Sequence, residues 1–153
     1  MARAASLVGE LLELLWSRVP THPVSSSQLP VLFILERNDG INLRTLAEAL
    51  DSTPSSVSRL CDRLQALGFI ERAPATTSRR ELRLHLNSRS RTFLADLRAR
   101  RESELHNVLH RMPPGKRSAF LEGLDAFLDS ADSALIVVAS PRPHQDIPAA
   151  QAR

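Results

Sequence analysis

The chain has 153 residues, 42% hydrophobic and 24% charged, with a formal net charge of +3. That suits one soluble domain with a proper core and room for an added dimerisation layer. A single cysteine excludes an intramolecular disulfide and any site built on paired cysteines. No apolar run approaches the ~18 residues of a membrane span and no signal-peptide pattern is visible, so a cytoplasmic protein away from membranes is expected.

Residues 1–5 read as a loose arm. Residues 7–18 read as a helix whose only polar stripe is Glu10, Glu13 and Ser17. Leu7, Val8, Leu11, Leu12, Leu14, Leu15 and Trp16 cover almost everything else. Such a helix is either wrapped inside its own monomer or, as expected here, faces a second subunit. Pro20-Thr21-His22-Pro23 breaks the chain. The next helix is expected over 25–37, with Ser27 as its cap, Pro30 in its first turn and Leu29, Leu32, Phe33 and Leu35 inward. Asn38-Asp39-Gly40 ends it, and Ile41 is expected to add a short strand to a small sheet.

Residues 42–50 form a short helix, and Asp51-Ser52-Thr53 turns the chain into a second one. Thr53 is a good N-cap, and Pro54 sits where its missing N–H costs nothing. Val57, Leu60, Cys61, Leu64 and Leu67 recur at helical spacing. The opposite face shows Ser55, Ser58, Arg59, Asp62 and Arg63, until Gly68 stops the helix. Two helices across so short a turn make a helix-turn-helix. Strands expected over 69–72 and 81–86, with Leu82, Leu84 and Leu86 alternating against Arg83 and His85, flank the loop 74–80 and add a wing.

Charge is concentrated on this part of the chain. Between Pro54 and Arg91 eight arginines face three acids, a net of +5, which leaves −2 for the remainder. That is the distribution backbone-phosphate binding requires. Short hydroxyl side chains let a helix backbone approach a groove, and arginines reach bases or phosphates.

The run LRTLAEALDSTPSSVSRLCDRLQALGFIERA, followed by SRRELRLHL, resembles the MarR family of bacterial transcriptional regulators, with the likeness extending over roughly 7–130. The resemblance implies a mainly α fold with a small antiparallel β-wing and a helical dimerisation layer from both chain ends. It also implies a homodimer on pseudo-palindromic double-stranded DNA, often released by a small anionic or phenolic effector or by cysteine oxidation. Two positions depart from the family pattern. Ser78 stands where the wing usually carries Asp, and Ser90 or thereabouts replaces the usual Gly after the second strand.

After the wing, a long helix runs from Ser88 towards Met112, with a stripe of Phe93, Leu94, Leu97, Leu105, Val108, Leu109 and Met112. Arg101 interrupts it. Ion pairs Arg98–Glu102, Arg100–Glu104 and Arg101–Glu104 within the helix are the expected explanation, with a ligand carboxylate on Arg101 as the alternative. A final helix over 118–134 is expected to bury Phe120, Leu121, Leu124, Phe127 and Leu128, and residues 140–153 read as a disordered tail. His106 and His110 have metal-binding spacing, but no cysteine lies near them and a site would need carboxylates or the second subunit, so they read as surface residues. Cys61, on the inward face, reads as packing rather than as a redox switch.

The organisation expected is one domain over 1–153: a winged helix-turn-helix over 25–90 and dimerisation helices over 6–19 and 91–135. The function expected is a DNA-binding transcriptional regulator, with no catalytic residues, metal or cofactor. Its DNA contacts are expected from Thr53, Ser55, Ser56, Ser58, Arg59 and Arg63 on the second helix, and from Thr77, Arg79 and Arg80 on the wing. The competing reading is a winged-helix protein-interaction module without specific DNA binding.

Overall fold

The computed structural model of the chain describes residues 2–75 and 81–139, with side chains over 3–75 and 81–131. Six helices and a small sheet are described: α1 (Ala2–Ser17), α2 (Leu29–Arg37), β1 (Ile41–Asn42), α3 (Leu43–Ala49), α4 (Pro54–Ala66), β2 (Ile70–Pro74), β3 (Leu82–Leu86), α5 (Ser88–Leu109) and α6 (Pro114–Ala139). The sheet is antiparallel with order β1-β3-β2, pairing Ile41 and Arg72 with Leu84, and Ile70 with Leu86. The chain is thus mainly helical with a three-stranded wing sheet.

The core lies where α2, α3, α4, the sheet and the first half of α5 meet. Leu32 and Leu35, Leu46, Val57, Cys61 and Leu64, Phe69, Leu84, and Leu94 and Leu97 are all essentially inaccessible to water there. Each fully buried aliphatic side chain of this kind contributes about 1.5–3 kcal/mol. The alternation expected in the second strand holds for Leu84 and Leu86 only. Leu82, at the wing end beyond the helices that cover the sheet, is 49% exposed.

Helix ends follow side-chain chemistry. Asn42 and Asn87 cap α3 and α5 by accepting from the N–H of Thr45 and Ser90 at 2.8 and 3.0 Å. At the end of α4, Gly68 takes φ +74°, the N–H of Phe69 bonds Leu64 O and that of Gly68 bonds Gln65 O, the Schellman arrangement. Asp51 does the same work after α3 at φ +47°, with the N–H of Ser52 on Ala47 O and its own on Glu48 O. This left-handed residue produces the turn between α3 and α4.

Several expectations are corrected. The helix expected from 7 begins at Ala2, so residues 2–5 are not a loose arm. The helix expected from Ser25 begins at Leu29, and Ser27 is not its cap. The Gln28 side chain instead folds back to accept from the N–H and hydroxyl of Ser25 at 2.8 and 3.0 Å, turning residues 25–28 into a separate turn. The in-helix pairing around Arg101 is also replaced. Arg98 reaches across to Glu36 on α2, and Arg100 bonds Asp96 O. The Arg101 guanidinium lies over the Trp16 ring, 4.6 Å from its centroid, with Phe33 at 5.9 Å, so it packs as a cation on aromatic faces.

The chain ends, where a helical dimerisation layer was expected, are uncovered in this single chain. Leu121, Leu124, Phe127 and Leu128 of α6 are exposed. Leu7, Val8, Leu11 and Leu14 of α1 are exposed as well, while Leu15 turns inward.

Candidate nucleic-acid interface

Helix α4 is held by its inner face and presents its outer one. Val57, Cys61 and Leu64 are fully buried, with Leu60 and Leu67 packed against the same core. Thr53 caps the helix by accepting from the N–H of Ser56 at 3.3 Å, and its hydroxyl donates to Ser56 Oγ at 2.9 Å and lies 3.2 Å from Ser55 Oγ. Three of the expected contact residues therefore form one exposed hydroxyl cluster over the helix N-terminus. Backbone N–H groups and the positive end of the helix dipole lie beneath it, a suitable seat for a phosphate. Ser58 is half-buried, and Arg59 and Arg63 are exposed. All six helix residues expected to contact DNA lie at this end or along the outer face. Thr77, Arg79 and Arg80, like Ser78, fall outside the described residues.

The arginines of this region divide by what they already hold. Arg72 on β2 donates to Asp62 and Gln65. Arg83 on β3 bonds Gly40 O and pairs with Glu81. Arg89 donates to Leu67 O and lies over the Phe69 ring, and Arg91 donates to Leu86 O. The Arg59 and Arg63 side chains make no hydrogen bond or ion pair with any described residue. Among the described arginines of this region, the two on the reading face are the ones whose side chains hold no internal partner.

The sequence leaves the role of Asp62 open between fixing an arginine's rotamer, accepting from a cytosine amine and a plain ion pair. Its partner, missed from sequence, is Arg72, with Nη2 2.7 Å from Asp62 Oδ1 and Nη1 2.9 Å from Gln65 Oε1. The signal lay in the strand following α4 so closely that its third residue returns beside the helix. Asn87 and Arg89 anchor the other end of α4 by donating to Gly68 O and Leu67 O at 2.8 and 2.9 Å. Ser90, at the position where a family glycine was expected, is fully buried and hydrogen-bonds Phe69 O. Burial pushes the Cys61 thiol up to about 11, against small opposing help from Arg72. The exposed rings of His106 and His110 lie tilted at 52°, with centroids 4.2 Å apart, at the end of α5. Among the described residues no helix is long and apolar enough to cross a membrane.

A sequence model of the MarR family matches residues 22–81, from the turn before α2 to the residue preceding β3. RV1404 from Mycobacterium tuberculosis, known from its crystal structure, is 31% identical to this chain. The match covers 84% of this chain and 90% of RV1404, with a TM-score of 0.71. The chain belongs to the MarR family. Its likeness extends to other known proteins. The transcriptional regulator Tm0710 of Thermotoga maritima matches 87% of the chain and 94% of its own length, at 19% identity and a TM-score of 0.74. That identity speaks for the shared fold. YfiV of Bacillus subtilis, named an uncharacterized HTH-type transcriptional regulator, is 24% identical over 72% of this MarR-family chain and 69% of its own.

Proposed function

We propose that this MarR-family chain is a sequence-specific DNA-binding transcriptional regulator, acting as a homodimer on a pseudo-palindromic operator. The observation that carries the reading is a division among the described arginines: Arg72, Arg83, Arg89 and Arg91 hold internal partners, while the Arg59 and Arg63 side chains have none among the described residues. An arginine with free planar donors on a groove-sized helix face is suited to guanine edges and phosphates. The Thr53–Ser56 hydroxyl cluster sits at the end of that face where a phosphate is best received. Ser55, Ser58, Arg59 and Arg63 are assigned to base or near-base contacts, Thr53 and Ser56 to the backbone at the helix start. Thr77, Arg79 and Arg80 are assigned to phosphates or the adjacent minor groove. The regulator named among its relatives supports the same reading.

The test is selection of bound fragments from a random-sequence duplex pool, followed by salt titrations on a selected and an unselected duplex. A selected sequence with inverted half-sites about one helical turn apart, bound much more tightly than random DNA, is the expected result. Arg79→Ala or Arg80→Ala should weaken both duplexes and flatten the salt dependence by about one unit each. Binding to neither duplex, at any salt, would sink the reading in favour of a protein-interaction module.

A further inference from the structure

Asp62 is the one acid on the exposed face of α4, flanked along the helix by Arg59 and Arg63. A bare carboxylate there would repel phosphates and compete for both arginines. It is not bare. Arg72 reaches from β2 with both terminal nitrogens, one on Asp62 at 2.7 Å and one on Gln65 at 2.9 Å. A planar fork presents its donors in fixed directions, and so holds a carboxylate and an amide one turn apart at the same time. The Arg72 side chain is three-quarters covered, and its backbone is paired with Leu84 in the centre of the sheet. Beyond it, the N–H of Ala75 bonds Glu81 O at 2.7 Å, closing the strand pair that carries the wing.

We propose that Arg72 is a positioning residue of the DNA interface: by clamping Asp62 and Gln65 it fixes the wing relative to the reading helix and keeps Arg59 and Arg63 available for DNA. The inference rests on the regulator reading above and concerns its specificity. Arg59 and Arg63 act from the helix, and the wing acts from the sheet. Discrimination between sequences depends on both arriving in one geometry, because a phosphate contact sets the register in which a base contact is made. The clamp is the described polar link between the outer face of α4 and the wing strands. Loosening it costs discrimination more than it costs attraction.

The experiment measures affinity for a selected duplex and for a random-sequence duplex, at fixed salt, with the full chain and three variants. Arg72→Lys keeps the charge but replaces the two-pronged planar fork with a single flexible point charge. Its affinity for random DNA should be unchanged, while the ratio of selected to random affinity falls about threefold to fivefold, the scale a partly exposed ion pair supports. Arg72→Gln and Asp62→Asn change the charge in opposite directions, so affinity for random DNA should fall in the first and rise in the second. The ratio should nevertheless fall in both, and the double variant should lose no more than either single one. Folding of each is checked by circular dichroism, and Arg72→Lys carries the test if Arg72→Gln is poorly folded. A ratio that stays at the wild-type value in all folded variants overturns the inference, as does an equal loss on both duplexes, which would make Arg72 a phosphate contact. A wild-type chain that selects no sequence defeats the regulator reading instead, and the clamp's role in specificity falls with it.

Discussion

Arg59 and Arg63 show how much depends on what a side chain is not already doing. Their exposure follows from helical spacing and was legible in the sequence. Their lack of internal partners was not, because it depends on Arg72 taking Asp62 from another element. If Arg59 reads a base, Arg59→Ala should cost about 1–3 kcal/mol on a selected duplex and little on random DNA; equal losses would demote it to a backbone contact. Cys61 is the opposite case, fully readable from its place on the inward face. It is wholly buried with its thiol pushed up to about 11, so almost no thiolate forms near neutral pH. A thiol reagent should modify it in denatured protein at the ordinary rate and in native protein only as fast as the lobe opens. Rapid native labelling would show that α4 leaves its core in solution.

The elements were legible wherever a local rule decides them. Thr53-Pro54 and Gly68 mark the ends of α4, and Leu84 and Leu86 mark the inner face of β3. Boundaries failed where a side chain overrode propensity, as when Gln28 folds onto Ser25 and delays α2 by four residues. The turn between α3 and α4 rests on Asp51 at φ +47°, a conformation costing roughly 1–2 kcal/mol for a residue with a Cβ. Asp51→Gly should therefore hold or slightly raise stability to urea. Asp51→Val, with branching at Cβ, should lower it by more than 1 kcal/mol (about 1–2). A loss for glycine of that size would mean that the aspartate side chain has a role of its own. Between α2 and α5, the two hydrogen bonds from Arg98 hold the Glu36 carboxyl below the usual glutamate range. A depressed carboxylate adds stability that is complete above its unfolded pKa and lost as pH falls through the folded one. Glu36→Gln should thus lower stability near neutrality and converge with the wild type in acid, which flattens the acid side of the stability profile. The effect should be small, because Arg98 is nearly half exposed.

At the scale of the molecule, the question is what covers the two chain ends. Leu7, Val8, Leu11 and Leu14 on α1 and Leu121, Leu124, Phe127 and Leu128 on α6 are all exposed in the single chain, Leu14 and Phe127 by 65% each. Scattered exposed leucines need no explanation, but eight large apolar side chains on two helices exceed what a soluble monomer tolerates. The sequence displayed this excess in the nearly all-round apolar pattern of 7–16. It could not show that α6 would be uncovered too, because the outward and inward faces of a helix read alike until its neighbours are placed. A second copy of the chain is the occupant consistent with a two-fold operator, since an isologous interface buries the same patch on both subunits and places two α4 helices for two half-sites. Light scattering should therefore report a dimer. Removing residues 1–18 should give aggregated or poorly folded protein, because the α6 face loses its cover and α1 also supplies Leu15 and the Trp16 ring beneath Arg101. Phe127→Glu is the milder probe. It leaves the core around α4 untouched and places a charge in the proposed interface, so it should shift the chain towards monomer and weaken binding to a two-half-site duplex far more than to a single half-site. A Phe127→Glu chain that remains dimeric and binds both duplexes as the wild type does would place the interface elsewhere. A soluble, folded monomer after removal of 1–18 would show that the apolar α6 face stays soluble without a cover, against the two-copy reading.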